Sequence, residues 1–438
     1  MRTKFRSKAG VLVISILVLL IMVLPLMTAC AEKEVGPKPP TPPPTEKKVL
    51  WSASIDITGP LSELGAESLK GIVDCVKYIN ENELAGPGIT VEFMWEDSQY
   101  KTPIAISTYR RGVERGASAY FSYSSGDKLA ISPMCERDKV CLVAFGGGYT
   151  GNYPARYNFS KSAPYVANMA AMADYVMANW KEARAPVIGF VAWDNPLGNQ
   201  VKILVPYLKE KGFKVIEEVQ YIPLICTDAT TQLMALDKAG VDFIMMCTTP
   251  QGTSQVLKDA KRLGLTPRIQ ILMAGGSYID ATLRLAGDAL DGNIIGEYEC
   301  VPQGDMDKPM VKKMVEYAHK CRGAEYEPGF TYLDGWQVGL VAAEATRLAI
   351  EAVGYDNFNG EALKKQGFER ISNWNTGLAA PITITSDDHT TTTATRLWTT
   401  DKGKYICLTP EWMLPPLVLP PEYRAICTCP NLWHPKGE

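Results

Sequence analysis

The chain has 438 residues, of which 46% are hydrophobic and 21% charged, and a formal net charge of −3 with no basic blocks. That balance argues against nucleic acid as a partner and against a surface that depends on acidic lipid. With only three histidines, no G-x-S-x-G elbow, no G-x-G-x-x-G after a strand and no Walker lysine, the usual catalytic and nucleotide signatures are missing.

Arg2, Lys4, Arg6 and Lys8 precede an apolar run from Val11 to Met27, which ends in Met27-Thr28-Ala29-Cys30. Residues 1–29 therefore read as a secretory signal peptide with a lipobox-like end, which makes Cys30 the expected lipidation site. Met27 stands where Leu is usual, with Leu26 beside it. An uncleaved anchor helix is the alternative, since the run approaches the ~18 residues of a membrane span. Either way the basic end stays in the cytoplasm and the remainder lies outside it. Residues 30–47, with Pro39-Pro40 and Pro42-Pro43-Pro44, read as an extended tether.

The exported portion is too long for one core, so two lobes are expected. Val49 to Ile57 is a buried strand stopped by Gly59-Pro60. Leu69, Ile72, Val73, Val76 and Ile79 then recur at helical spacing and give a stripe that can lie on a sheet. Strands follow at Ile89 to Trp95, Ala119 to Tyr123 and Val140 to Phe145, with helices between them. This βαβα order predicts a parallel sheet covered on both faces. Ligands of such sheets collect beyond the carboxyl ends of the strands. Ser124 and Ser125 lie there at a helix start, and Gly146, Gly147 and Gly148 lie there in a loop whose N–H groups a ligand could approach closely.

A second series begins with the helix Pro164 to Trp180 and continues with the strand Val187 to Trp193, the helix Leu197 to Lys211 and the strand Phe213 to Tyr221. Ala229 to Ala239 and Gln251 to Leu263 are helices, Val241 to Cys247 and Ile269 to Ala274 strands. Asp307 to Cys321 and Phe330 to Val353 are long helices, and Arg396 to Ile406 reads as a hairpin. Of eleven cysteines, none has the paired C-x-x-C spacing of a zinc site. Export permits disulfides, Cys135 to Cys141 and Cys300 to Cys321 being candidates, or else these are buried free thiols.

The stretch VLWSASIDITGPLSELGAESLKGIVDCVKYIN, and more distinctively GVDFIMMCTTPQGTSQVLKDAKRLGL, resemble the type I periplasmic solute-binding proteins of the leucine/isoleucine/valine-binding group. The resemblance spans about Lys48 to Trp412. It implies an α/β fold of two doubly wound parallel-sheet lobes joined by a three-segment hinge, with crossings at Arg156 to Ser160, Ile294 to Glu299 and Trp374 to Thr385. Lobe 1 would then be residues 48–160 plus 300–371, and lobe 2 residues 161–299 plus 372–413. Residues 414–438 remain as an unassigned Pro- and Cys-rich tail.

The implied function is that of an extracytoplasmic solute-binding lipoprotein of an ABC importer, at the cell surface or in the periplasm. It would not be an enzyme and would need neither cofactor nor metal. Its partners would be a small organic solute (an amide, an aromatic acid or an amino-acid-like molecule), the permease, and the membrane through its lipid. A ligand-sensing protein serving a membrane receptor, or less readily an exported enzyme, are the alternatives. Matching the family position by position puts Leu64, Ser124, Ser125, Phe145, Gly146 and Gly147 at the ligand from lobe 1. Trp193, Asn195, Thr249, Gln251, Gly276 and Tyr278 face it from lobe 2. Relatives that bind an α-amino acid hold its ammonium with acids at places that here read Ser162-Ala163-Pro164 and Gly275-Gly276-Ser277. With no acid there, unless Asp194 substitutes, the resemblance implies a ligand other than an ordinary α-amino acid. Phe145, Tyr149, Trp193 and Tyr278 would suit a neutral amide or an aromatic acid whose carboxylate Ser125 holds.

Overall fold

The computed structural model describes residues 47–146, 152–427, 429 and 431–436. The signal peptide, Cys30, the tether up to residue 46, and Gly147, Gly148 and Tyr149 lie outside them, while Lys47, expected in the tether, opens the first strand.

In the first lobe β1 (Lys47–Ile55) lies between β2 (Ile89–Asp97) and β3 (Ala119–Ser122), parallel to both. β4 (Cys141–Ala144) and β5 (Asn158–Ser160) complete the parallel order β2-β1-β3-β4-β5. The central strand β1 is covered on both faces: Trp51, Ala53 and Ile55 join the apolar core on one, and the small side chains of Ser52 and Ser54 are buried on the other. The connecting helices are α1 (Ser62–Glu81), α2 (Thr102–Glu114) and α3 (Ser125–Asp138). The stripe Leu69, Ile72, Val76 and Ile79 is the buried face of α1.

The second lobe begins with α4 (Tyr165–Asn179), β6 (Val187–Trp193) and α5 (Gln200–Lys211). The edge strand expected at Phe213 to Tyr221 is two short pieces, β7 (Lys214–Val215) and β8 (Gln220–Ile222), each parallel to one end of β6. Between them the consecutive acids Glu217 and Glu218 are exposed and unpaired in the sheet. There follow α6 (Thr230–Lys238), β9 (Phe243–Cys247), α7 (Pro250–Arg262), β10 (Gln270–Met273), α8 (Asp280–Ala286) and β11 (Ile294–Glu297). Side chains alternate across this sheet. Phe190 and Met245 join the cluster under α4 and α5, while Val191, Ile244 and Met246 join the cluster under α6 and α7.

The chain then returns to lobe 1 as α9 (Pro309–Arg322) and α10 (Phe330–Val353). α10 packs directly on α1 through two glycines: a Cβ at Gly71 would lie 2.0 Å from Tyr332 O, and one at Gly335 2.4 Å from Ile72 N. The hairpin β12 (Arg396–Asp401) and β13 (Lys404–Cys407) adds antiparallel strands beside β11, giving β13-β12-β11-β10-β9-β6-β7.

The segment Trp374 to Thr385 differs from its expected place as a crossing. It forms a small antiparallel turn whose Leu378, Ile382 and Ile384 are buried in the lobe 1 core. The chain instead passes to lobe 2 over residues 389–395, beside the first crossing, where Ser160 N donates to His389 O and Ala163 N to Thr392 O. Of the two alternatives for the cysteines, free thiols hold over the candidate pairs: Cys135, Cys141, Cys300 and Cys321 are free, whereas Cys427 is bonded to Cys429. Cys141 Sγ lies 3.4 Å from Gly360 O in the lobe 1 core. The tail after Met413 packs over the crossings, with Leu417, Leu419 and Tyr153 in one buried cluster.

No helix among the described residues is long and apolar enough to cross a membrane, and none of their His, Cys, Asp and Glu side chains form a group able to hold a metal ion.

Candidate functional site

The strands of both lobes end at one cleft. After β1 the Asp56 carboxylate accepts hydrogen bonds from Gly59 N (2.6 Å) and Leu61 N (2.8 Å), which fixes the turn and turns Leu61 and Leu64 into the cleft. Gly65 is required there, since a Cβ would lie 1.7 Å from Asp56 O. After β2, Gln99 and Tyr100 both adopt positive φ, 51° and 56°, and this uncommon backbone places the Tyr100 ring in the same wall. Tyr123 and Phe145, at the ends of β3 and β4, pack with ring centroids 5.5 Å apart and complete the apolar side of lobe 1.

Lobe 2 contributes Trp193 from the end of β6, Thr249 from the start of α7, and Tyr278 after β10. Tyr165, at the start of α4, lies over the Gly275-Gly276 backbone. A Cβ at Gly275 would meet its ring at 2.7 Å and one at Gly276 at 3.1 Å, and Gly276 has φ 81°. These glycines serve the ring as much as any ligand. Tyr278 is fully buried, its hydroxyl bonded to that of Tyr405.

At the floor of the cleft the crossings bring charge together. Lys161 Nζ donates to Glu299 Oε1 (2.9 Å) and to Asp334 Oδ1 (2.6 Å), and sits 5.2 Å from the Phe330 ring centroid. Glu297 lies beside them. Among the described residues neither Glu297 Oε1 nor Glu299 Oε2 has a hydrogen-bond partner. One ammonium thus serves three carboxyl groups. Burial, reinforced by Glu299 and only partly opposed by Lys161, pushes the Asp334 carboxyl up to about 7. Burial and then the Glu299 charge hold Glu297 well above the ordinary carboxylate range. Burial disfavours the charge on Lys161, but Asp334 and Glu299 outweigh it and raise its pKa.

The cavity measures about 90 Å³.

Of the residues expected at the ligand, Leu64, Ser125, Phe145, Gly146, Trp193, Thr249, Gly276 and Tyr278 line this cavity. Three do not. Ser124 Oγ caps α3 by accepting from Asp127 N (2.9 Å), Asn195 Oδ1 accepts from Gly198 N (2.8 Å), and Gln251 stands outside the lining on α7. Gly147 and Tyr149 lie outside the described residues. Ser162-Ala163-Pro164 and Gly275-Gly276-Ser277 supply no acid, but the cleft has acids from elsewhere: Glu297 at the end of β11, Glu299 just beyond it and Asp334 on α10. These three and Lys161 were missed, as were Tyr100, Tyr123 and Tyr165. The available signal was two acids at i and i+2 in an otherwise apolar strand, which share a face.

A family profile described as periplasmic binding protein matches residues 53–404. Among solved structures, a branched-chain amino acid ABC transporter protein from Thermus thermophilus with bound valine superposes with a TM-score of 0.74 at 23% identity, covering 85% of this chain and 97% of that one. A fatty acid ABC transporter substrate-binding protein from Thermomonospora curvata gives 0.74 at 20% identity, over 85% and 94% of the two chains. A solute-binding protein from R. palustris in complex with 4-hydroxybenzoate gives 0.71 at 16% identity, over 84% and 97%. At such identities these structures share the fold, and their solutes differ. A comparison with curated protein sequences returns no match.

Proposed function

The chain belongs to the periplasmic binding protein family, whose members bind small solutes outside the cytoplasm and work with ABC transporter permeases, and on that premise we propose that it captures a small organic solute for an ABC importer. The observation that carries this reading is the composition of the cleft. Leu64, Phe145 and Phe330 from one lobe face Trp193, Thr249 and Tyr278 from the other, around a floor of buried charge. Contacts from both lobes can act on one solute together only when the lobes are closed, so binding shifts the hinge towards the closed form that a permease would recognise. The aromatic walls favour a solute with a flat or apolar body, and the floor favours one polar head. Amides, aromatic acids and amino-acid-like molecules remain the solutes to try. The basic residues before Val11 and the small residues before Cys30 support a lipid anchor on that cysteine.

A thermal-shift panel of amino acids, amines, amides and aromatic acids tests the reading. A solute at ~100 times its dissociation constant adds roughly 2.7 kcal/mol to stability. A clear rise in Tm with one class supports solute binding, and a flat response across all classes contradicts it.

A further inference from the structure

Glu297 is the last residue of β11 and is only 1% exposed, yet its Oε1 has no hydrogen-bond partner among the described residues and its side chain lines the cleft. Glu299, two residues on, gives Oε1 to Lys161 and leaves Oε2 equally without a donor. Buried carboxyl oxygens in this state are costly, and a donor brought by a solute would relieve both. Lys161 is already engaged by Glu299 and Asp334, and it is the one lysine or arginine among the described residues lining the cavity. The charge balance points the same way, since three carboxyl groups share that single cation.

We propose that the cleft takes solutes carrying a primary ammonium group, seated between Glu297 and Glu299, and that capture is coupled to proton release. This rests on the solute-binding reading above. The proton comes from the Glu297 carboxyl: the protonated acid and the incoming ammonium become a carboxylate–ammonium pair, and one H⁺ leaves to solvent. Burial comes first among the causes that keep Glu297 protonated in the free protein. Glu299 on the continuation of the same strand, Asp334 on α10 and Asp280 on α8 add to it, and Lys161 on the first crossing opposes it. The phenols of Tyr298 and Tyr165 belong to residues that line the same cavity. A solute cation supplies the charge that lets this acid ionise, so ammonium affinity rises with pH by up to tenfold per unit while Glu297 is protonated in the free protein. A carboxylate head would show the reverse slope and a neutral amide none.

The test is titration calorimetry on the full exported chain with two matched series, phenyl and isobutyl, each presented as amine, amino acid, carboxylate and amide. Each is run at pH 6.5 and 7.5 in two buffers of different ionisation enthalpy. The expected result is that ammonium members bind, bind more tightly at the higher pH, and release protons on binding. Glu297→Gln, with its Tm confirming the fold, abolishes the release and weakens them at least tenfold. Should that variant not fold, the buffer and pH dependence of the unmodified protein decide alone. Binding confined to carboxylates or amides, or ammonium binding without proton release, overturns the inference while leaving solute capture standing. Failure of every member here and in the wider panel overturns both.

Discussion

Asp280, at the start of α8 in the second lobe, accepts a hydrogen bond from Thr331 N, in the first turn of α10 in the first lobe, at 3.2 Å. The contact joins the lobes across the cleft, where Ile279 and Ala281 also meet Phe330 and Leu64. It needs Gly329, because a Cβ there would lie 2.1 Å from Asp280 Oδ2. An acid against free N–H groups at a helix N-terminus is favourable, and here it exists only with the lobes together.

Gly329→Ala should therefore penalise the closed form without harming either lobe, since φ of −101° at Gly329 suits alanine. The expected outcome is affinity for the panel solute lowered at least tenfold, about 1.4 kcal/mol, with the solute-free Tm within a degree or two of the parent. Unchanged affinity by calorimetry would show that the contact does not govern closure.

The buried acids give stability a definite pH dependence. A carboxyl whose pKa is higher folded than unfolded holds its proton more tightly in the fold. Its contribution is full below the unfolded pKa, near 4, and is lost as pH rises through the folded value. For Asp334 that value is about 7, and Glu297 moves in the same direction. Solute-free protein should thus gain resistance to urea as pH falls from 8 to 5, and Asp334→Asn should flatten that slope. Parallel profiles for the two proteins would contradict the assignment.

Ser124 and Ser125 are adjacent but should separate cleanly. Ser124 caps α3 through Asp127 N, so Ser124→Ala should cost about 1 kcal/mol of stability with little effect on affinity. Ser125 lines the cleft, and Ser125→Ala should do the opposite. Urea denaturation and calorimetry on the two variants check this, and an exchange of the two effects would mean that the roles are reversed.

That pair also shows what the sequence could and could not carry. The alternation of apolar strands and striped helices made the two-lobed α/β fold readable, down to α10 at Phe330–Val353. Local pattern also found the loops at the strand ends. It could not say which of two neighbouring serines turns inward, because that depends on where the helix cap falls. The floor was hidden for a different reason. Lys161 meets Glu299 and Asp334 from 138 and 173 residues away, so their pairing is set by how the crossings lie together. In the same way Trp374 to Thr385 reads as a strand leaving the lobe, yet Leu378 and Ile382 find their burial within lobe 1.

The N-terminal reading makes its own prediction. If Cys30 carries the lipid, Cys30→Ser should move the protein from the membrane fraction to the soluble fraction and abolish incorporation of a labelled fatty acid. Retention of the variant in the membrane would instead favour the uncleaved anchor.

The central claim is that one solute is gripped from both lobes. Its most direct measurement is calorimetry of the panel solute that most raises Tm against two single variants, Tyr123→Ala in lobe 1 and Trp193→Ala in lobe 2. Each ring lines the cleft from its own side, and loss of an aromatic contact of this kind costs ~1–3 kcal/mol. Both variants should fold and bind at least fivefold more weakly than the parent. Full affinity in either one would place the solute on a single lobe and contradict capture by closure.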